Sequence, residues 1–220
     1  MLMENKEQRL KAFNQIDLYP VTDQGLSRGR SNLEILEGLI AGGAKIVQLR
    51  EKRLSPKDFY QMAVAFREKT AQAGMLLIIN DHLDIALACG ADGVHLGQDD
   101  LPLTVAKKLA PNLLIGVSTH NLDEVLKAQE QDADYVNIGP IFATKTKELA
   151  MAPLNPRAIG DIAPHLKIPF TVMGGINRSN IEQVLQAGAR KIAVVTAITE
   201  ADNIGQAVQV LCKTINAYES

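Results

Sequence analysis

Acidic and amide side chains follow two neighbouring apolar runs near the middle of the chain. Asn80 and Asp81 come directly after the apolar segment 75–79, and Asp99 and Asp100 follow the next, shorter one. Asp100 follows Asp81 by 19 residues, which is room for one helix and one strand, so both carboxylates can lie at one rim of a parallel sheet. Mg²⁺ binds to a few carboxylates together with water and substrate phosphates. The stretch therefore predicts a site for a divalent cation and a polyanion.

Helix capping is the competing interpretation of each aspartate. Asp81 precedes a helical pattern that starts at His82, and Asp99 or Asp100 precedes one that starts near Leu103. Aspartate is a favoured N-cap because its carboxylate accepts hydrogen bonds from the first backbone amides of a helix. His95 lies between apolar residues and is more typical of a hydrogen-bonded barrel histidine than of a metal ligand.

A second group of polar residues follows an apolar run at 45–49. Period-two alternation places Gln48, Arg50 and Lys52 on one side of this strand. A guanidinium and an ammonium suit phosphate oxygens, and the Gln48 amide suits the edge of a heterocycle. The alternative is that Arg50 and Lys52 are solvated loop charges.

Three further segments carry groups suited to phosphate or heterocycle binding. Ser118 has no acid or second histidine placed to form a triad, so it is interpreted as a hydrogen-bonding hydroxyl. The loop 144–147 reads Thr-Lys-Thr-Lys and suits an anion clamp or, alternatively, a solvated loop. Gly174 and Gly175, with the segment 194–198, resemble the phosphate site that barrels often form after their last two strands, although either glycine could serve only a turn.

Short β-branched runs alternate with amphipathic segments along the whole chain, which predicts repeated strand-helix units around a parallel sheet. The predicted strands are Ile16–Thr22, Lys45–Arg50, Met75–Asn80, Gly93–Leu96, Leu114–Ser118, Tyr135–Gly139, Phe170–Met173 and Lys191–Thr196. The predicted helices are Ser31–Ala41, Pro56–Gln72, His82–Ala88, Leu103–Leu109, Asn121–Glu130, Pro156–Ala163, Ser179–Ala187 and Asn203–Ala217. The predicted helix caps are Ser31, Ser55, Asn121 and either Asn177 or Ser179.

An internal repeat supports eight strands. Every second strand is preceded by a Gly-Ala or Asp-Ala pair, at 43–44, 90–91, 132–133 and 188–189. Glycine after a helix takes the left-handed conformation that closes the last turn. This pattern favours a single (β/α)₈ TIM barrel, with residues 1–15 as a short N-terminal helical extension and residues 16–220 as the catalytic domain.

Composition limits the partners. The chain has 220 residues, 46% hydrophobic content and a net charge of −2, so neither nucleic acid nor a membrane surface is an expected partner. Cys89 and Cys212 lack metal-ligand spacing and are interpreted as buried thiols. No apolar run has the length of a signal peptide core or a membrane span, so a cytoplasmic protein is expected.

Seven motifs in order give the chain a close resemblance to the thiamine phosphate synthase family. They are QLREK at 48–52, IND at 79–81, HLGQDDL at 95–101, GVSTH at 116–120, GPIFATKTK at 139–147, MGGIN at 173–177 and AVVTAI at 193–198. The resemblance implies a transferase that joins 4-amino-5-hydroxymethyl-2-methylpyrimidine diphosphate to a thiazole phosphate carboxylate. The products are thiamine phosphate, diphosphate and carbon dioxide. The alternatives are a thiazole tautomerase-like paralogue, another phosphate-binding barrel such as an epimerase or aldolase, and a non-catalytic binder of thiamine precursors.

The resemblance also implies roles for individual residues. Mg²⁺ would be held by Asp81 and Asp100, with Asp99 left as a cap or supporting group. The catalytic residues would be Arg50, Lys52, Ser118 and Lys147. The substrates would contact Gln48, Leu49, Arg50, Glu51, Lys52, Asn80, Ser118, Thr144, Lys145, Thr146, Lys147, Gly174, Gly175, Val195 and Thr196.

Two positions depart from the family pattern. Ala143 stands where the family often has proline, and Thr196 stands where it often has serine. Because Thr196 keeps a hydroxyl and a backbone amide, we expect its phosphate contact to be retained.

Overall fold

Eight parallel strands form the centre of the computed structural model, which describes residues 5–144 and 152–218. Strands β1 to β8 are Leu18–Pro20, Ile46–Leu49, Leu76–Asn80, Gly93–Leu96, Leu114–Thr119, Tyr135–Ile138, Phe170–Val172 and Ile192–Val194. Each strand from β2 to β7 pairs with the next one, and β8 pairs with β1. A bridge between Val21 and Gln48 joins β1 to β2 and completes the ring.

Helices alternate with the strands as expected for a (β/α)₈ barrel. Helices α1 to α10 are Lys6–Asn14, Asn32–Ala41, Pro56–Ala73, Leu83–Ala88, Leu103–Leu109, Leu122–Glu130, Arg157–Ile162, Ile181–Gln186, Thr196–Thr199 and Ile204–Asn216. One-turn 3₁₀ helices occur at Gln24–Leu26 and Ala163–His165. The predicted fold class and the order of its elements are confirmed.

The eighth strand is shorter than predicted. It ends at Val194. Thr196, which was predicted to be the last residue of this strand, instead begins the short helix α9. Ser31, Ser55 and Asn121 cap their helices as predicted. The proposed caps Asn177 and Ser179 are wrong, because α8 begins only at Ile181 and its preceding residue makes no side-chain cap.

The repeated pairs before alternate strands share one backbone geometry. Gly43, Gly90 and Gly188 have φ between 67° and 101°, the left-handed conformation predicted for these glycines, and Asp132 shares it with φ of 59°. In each case the amide of the following alanine donates to the carbonyl five residues before it, at 2.9–3.0 Å. This bond ends the helix and turns the chain directly into the next strand.

The N-terminal extension packs against one end of the barrel. Phe13 of α1 is fully buried, and its ring centroid lies 4.3 Å from that of Tyr135 on β6. Lys6 and Arg9 form ion pairs with Asp134 and Asp92, at 2.8 and 3.4 Å. The extension therefore contributes to the interior of the barrel, while the division at residue 16 stays a prediction.

Two apolar layers surround the strands. One lies between the strands and the outer helices, and a smaller one fills the barrel interior below the site, around Phe13, Ile46, Leu76 and Leu114. Within the described residues, none of the helices has the length and apolar character needed to cross a membrane. Both cysteines are free thiols; Cys89 is buried and Cys212 half-buried.

Candidate active site

An open cavity of about 280 Å³ lies over the carboxyl ends of the strands. This is the end at which (β/α)₈ barrels carry their active sites. Twelve of the residues singled out from the sequence line it together: Gln48, Arg50, Lys52, Asn80, Asp81, Asp100, Ser118, Thr144, Gly174, Gly175, Val195 and Thr196.

Asp81 and Asp100 face each other in this cavity. Burial and the neighbouring Asp100 carboxyl raise the pKa of Asp81 to about 6, while the charge of Lys52 opposes this shift. The Lys52 ammonium lies 4.0 Å from a carboxylate oxygen of Asp81. Two carboxyls that share one polar corner repel each other when both are ionised, and a cation between them removes that repulsion.

Neither aspartate caps the helix that follows it. The residues preceding α4 and α5, His82 and Pro102, make no side-chain cap, so the capping interpretation of Asp81, Asp99 and Asp100 is wrong. Asp100 instead accepts a hydrogen bond from the backbone amide of Gly97 at 2.7 Å. Its carboxylate is thus held at the end of β4, on the rim of the cavity.

Asp81 lies in a strained turn. Its φ is 63°, and the amide of His82 donates to the carbonyl of Asn80 across it at 2.7 Å. A three-residue turn with positive φ is rare and costly for a residue with a side chain. Such strain is concentrated at functional sites, which fits the position of this carboxyl in the cavity.

The carboxylates of Asp81 and Asp100 fit Mg²⁺ better than they fit a metal ion whose ligands all come from the protein. Among the described residues, no three His, Cys, Asp or Glu side chains are grouped to hold a metal ion. Two carboxylates at an open rim leave most coordination positions to water and substrate oxygens, which is the usual arrangement for Mg²⁺.

The basic residues after β2 are anchored to different degrees. Arg50 forms a close ion pair with Asp23, and its backbone amide donates to Thr22 Oγ1 at 3.1 Å. Lys52 is more exposed, with 54% of its side chain accessible. The solvated-loop interpretation does not hold for Arg50, because its side chain is only 13% exposed.

Leu49 and Glu51 point away from the cavity. Leu49 is fully buried in the apolar layer between the strands and the helices. Glu51 accepts hydrogen bonds from Asn32 Nδ2 and from the backbone amides of Lys52 and Arg53. Alternation along the strand explains this placement, because the neighbours of Gln48 and Arg50 face the outside of the barrel.

The two glycines after β7 sit where a side chain cannot fit. Gly174 and Gly175 have φ of 102° and 63°. A Cβ on Gly174 would lie 2.5 Å from Pro140 Cα, and one on Gly175 would lie 2.4 Å from the carbonyl oxygen of Ala143. The glycines therefore do more than ease a turn, since they also let the loop after β6 pack against them.

The loop after β6 is tied to this region at its base. The amides of Ile141 and Phe142 donate to the carbonyls of Met173 and Gly174, at 2.8 and 3.0 Å. Thr144 lines the cavity. The predicted contacts of Lys145, Thr146 and Lys147 lie outside the described residues.

Comparison with known proteins decides the family. Residues 18–198 match the family model described as thiamine monophosphate synthase. The chain belongs to the thiamine monophosphate synthase family. It is 49% identical over 194 residues to a thiamine-phosphate synthase from Chloroflexus aurantiacus, with 88% of this chain and 90% of that protein covered.

Two further relatives span almost the whole chain. A thiamine-phosphate synthase from Caldicellulosiruptor saccharolyticus is 41% identical and covers 98% of both chains. The solved thiamine phosphate pyrophosphorylase from Pyrococcus furiosus is 34% identical, with a TM-score of 0.87 over 94% of this chain and 98% of that one. The resemblance inferred from the motifs is confirmed, and with it the TIM barrel and the transferase activity of thiamine phosphate synthesis.

Several buried polar residues in or just below the cavity were not predicted from the sequence. Tyr19 and Asn137 line it from β1 and β6, and Tyr135 lies just below them. Asn137 Oδ1 accepts a hydrogen bond from Thr171 Oγ1 at 2.7 Å. Period-two alternation on β6 could have found Tyr135 and Asn137, because both lie one residue away from outward-facing Val136.

His95 is a hydrogen-bonded barrel histidine, as the sequence indicated. Its Nδ1 lies 3.0 Å from the hydroxyl of Tyr135, and its Nε2 lies 3.0 Å from Ser118 Oγ. It is buried and lines the floor of the cavity. Ser118 lies on the cavity wall and carries a hydroxyl supported from below.

Proposed function

We propose that this chain joins 4-amino-5-hydroxymethyl-2-methylpyrimidine diphosphate to a thiazole phosphate carboxylate in the cavity at the carboxyl ends of the strands. One observation carries the assignment of the site to this reaction. Paired carboxylates, basic groups and two close-packed glycines converge on a single cavity, which suits one substrate with a diphosphate and a second with a phosphate.

The diphosphate is assigned to the rim between β2 and β4. Arg50, Lys52 and Asn80 line this part of the cavity beside the carboxyl pair. Lys147 is included from the sequence alone. The guanidinium of Arg50 suits bidentate contact with phosphate oxygens, and Lys52 supplies a mobile point charge.

Asp81 and Asp100 are assigned to Mg²⁺. The raised pKa of Asp81 and the failure of both carboxyls to cap a helix support this role. When bound, the ion neutralises charge on the diphosphate leaving group.

The pyrimidine is assigned to Gln48 and Ser118, which line the cavity from β2 and β5. The thiazole phosphate is assigned to Thr144, Gly174, Gly175, Val195 and Thr196, with Thr146 added from the sequence. Backbone amides and small side chains allow close approach of a phosphate, and Thr196 keeps the hydroxyl of the more usual serine.

The chemistry follows from charge placement and positioning. Departure of diphosphate leaves a pyrimidine methylene cation, which the ring amino group stabilises by resonance. The thiazole nitrogen captures this cation, and loss of carbon dioxide completes thiamine phosphate. The protein holds the two substrates in contact and neutralises the leaving group with Arg50, Lys52 and Lys147, so neither a nucleophile nor an acid-base pair is needed.

A thiazole tautomerase-like activity would use the phosphate half of this cavity alone. The presence of Asn80, Asp81, Asp100 and Lys52 at the other rim favours the synthase. A non-catalytic binder would not require a strained carboxyl paired with a second one.

One assay separates these functions. The protein is incubated with both substrates and Mg²⁺, and diphosphate and thiamine phosphate are measured together. We expect equal amounts of the two products. Tight binding of either substrate without product would overturn the synthase, and conversion of the thiazole alone would identify a tautomerase.

A cytoplasmic location is proposed on the strength of the free thiols Cys89 and Cys212.

A further inference from the structure

A continuous chain of side-chain hydrogen bonds runs along the floor of the cavity, where all of its residues except Tyr135 line the cavity. Gln48 Nε2 donates to the hydroxyl of Tyr19, and the hydroxyls of Tyr19 and Tyr135 lie 3.0 Å apart. The Tyr135 hydroxyl then contacts Nδ1 of His95, and Nε2 of His95 contacts Ser118 Oγ. Every link is 3.0 Å long. We call these five residues the relay.

The three middle residues of the relay are buried. Tyr19, Tyr135 and His95 are 1%, 0% and 5% exposed, so bulk water does not break the chain. Burial raises the pKa of both tyrosines above the usual value, and each phenol keeps its proton at neutral pH. Each hydroxyl can therefore donate one hydrogen bond and accept from the other side.

If each hydroxyl donates to its neighbour within the chain, the whole relay has two possible directions. If Gln48 donates to Tyr19, then Tyr19 donates to Tyr135, and Tyr135 donates to Nδ1 of His95. His95 then carries its proton on Nε2 and donates to Ser118. If the Gln48 amide is turned over, every bond reverses, and Ser118 donates to His95 instead.

We propose that Tyr19, Tyr135 and His95 are positioning residues that fix the direction of this relay from Gln48 to Ser118. In this direction the Ser118 hydroxyl accepts from His95 and keeps its own proton for a ligand in the cavity. The carbonyl oxygen of Gln48 is left as an acceptor at the other end. The relay thus sets both ends together, one as donor and one as acceptor.

The inference rests on the proposed function and deepens it. A ring that presents an amino donor and a ring-nitrogen acceptor matches a carbonyl at Gln48 and a hydroxyl donor at Ser118. An aminopyrimidine has both groups, whereas a ring with a carbonyl in place of the amine would set its own acceptor oxygen against the carbonyl oxygen of Gln48, and no hydrogen bond could form. The relay therefore selects for the amino form of the heterocycle.

The barrel makes room for the middle of the relay. Gly116 pairs with both His95 and Tyr135 in the register of β4, β5 and β6. A Cβ on Gly116 would lie 2.0 Å from the Tyr135 ring. The ring occupies the space that a side chain at 116 would fill, which holds the hydroxyl between Tyr19 and His95.

The first test reads the tautomer of His95 in the native protein. In ¹⁵N-histidine-labelled protein, the ring signals of His95 are assigned by their loss in the His95→Gln variant. We expect an unprotonated Nδ1 and a protonated Nε2. A protonated Nδ1 with an unprotonated Nε2 would overturn the proposed direction, and a doubly protonated ring would overturn the relay.

The second test asks whether Tyr135 acts through Ser118. We expect Tyr135→Phe to lower kcat/KM for the pyrimidine diphosphate roughly tenfold, about the value of one hydrogen bond, with little change in KM for the thiazole phosphate. In a Ser118→Ala background the same change should cost less than about twofold. If Tyr135→Phe instead lowers kcat/KM by the same factor in the Ser118→Ala background as in the wild type, the role of Tyr135 is merely structural.

Phe13→Leu is the matched control, because Phe13 packs on the Tyr135 ring without joining the relay. We expect it to leave the His95 tautomer unchanged. If Tyr135→Phe does not fold, Tyr19→Phe and the native spectrum still decide the direction. The tautomer is read without turnover, so an inactive protein with the expected tautomer would refute the proposed function alone. An active protein with the reverse tautomer would refute only the relay direction.

Discussion

The ammonium of Lys52 lies 4.0 Å from a carboxylate oxygen of Asp81, although the two residues follow different strands. Lys52 favours the ionised form of Asp81, whereas burial and Asp100 oppose it more strongly. The net result is that the ionised form of the Asp81 carboxyl is disfavoured until a cation or a positively charged partner approaches. This relationship makes the corner between β2 and β4 the most testable part of the site.

Asp81→Asn should stabilise the protein in the absence of Mg²⁺ at neutral or alkaline pH. The pKa of Asp81 is about 6 in the folded chain and 3.8 when unperturbed, so the native state binds more protons between these values and loses stability as pH rises. After a discount for partial exposure, we expect a gain of about 1 kcal/mol at pH 8, shrinking toward pH 4. Asparagine also tolerates the positive φ. Urea unfolding at both pH values measures this.

The same variant should lose activity and its response to Mg²⁺. We expect turnover to fall by about two orders of magnitude or more, and Mg²⁺ to stabilise the wild type against unfolding but not the variant. Near wild-type rates at saturating Mg²⁺ would contradict the metal assignment. If Asp81→Asn has the same free energy of unfolding as the wild type at pH 8, the ionised Asp81 carboxyl does not destabilise the folded protein.

Asp100→Asn and Asp99→Asn form a matched pair for the other carboxylate. Asparagine at 100 can still accept the hydrogen bond from the Gly97 amide, so the turn should persist while the charge is lost. We expect roughly a hundredfold loss of turnover for Asp100→Asn and less than about threefold for Asp99→Asn. Steady-state rates across an Mg²⁺ titration distinguish them, and equal losses would remove the preference for Asp100.

The fold was largely predictable because its signals are local and repeated. Strand and helix order followed from periodicity, and the left-handed residues Gly43, Gly90 and Gly188 marked helix ends. Boundaries were less accurate where hydrogen bonding, and not hydrophobicity, decides them. The stretch around Val195 and Thr196 is apolar enough to read as strand, yet it starts a helix once the ladder with β1 ends.

The site was predictable where chemistry lies beside a motif and hidden where it depends on contacts distant in the chain. Asp23 precedes Arg50 by 27 residues, and nothing in its local sequence shows that it holds the guanidinium. Tyr19 and Tyr135 look like ordinary core aromatics in the sequence, and 116 residues separate them. Only closure of the barrel brings their hydroxyls together.

Arg50→Lys should weaken binding of the pyrimidine diphosphate although it keeps the charge. Lysine cannot reproduce the ion pair with Asp23 together with bidentate contact to phosphate. We expect KM for this substrate to rise about tenfold, with a smaller change for the thiazole phosphate. Arg53→Lys is the control, because Arg53 is exposed and lies outside the cavity lining. Equal effects of the two changes would argue against a specific role for Arg50.

Phe13→Ala should destabilise the barrel strongly, because its ring fills the interior below the site. Removal of a fully buried phenylalanine costs about 3–5 kcal/mol. Lys11→Ala changes an exposed residue of the same helix and should cost less than about 0.5 kcal/mol. Thermal or urea unfolding measures both. A small effect of Phe13→Ala would mean that the N-terminal extension is dispensable for the core.

Gly174→Ala and Gly160→Ala should have opposite effects on stability. Gly174 has φ of 102°, and an added Cβ would lie 2.5 Å from Pro140 Cα, so alanine there forces the loops after β6 and β7 apart. Gly160 lies within α7 and an added Cβ meets no atom within 4 Å, so alanine should stabilise by about 0.5–1 kcal/mol. We expect Gly174→Ala to cost at least about 2 kcal/mol and to raise KM for the thiazole phosphate. Unfolding curves and steady-state kinetics test both parts, and a Gly174→Ala protein with native stability and native KM would show that this glycine neither shapes the loop nor admits the phosphate.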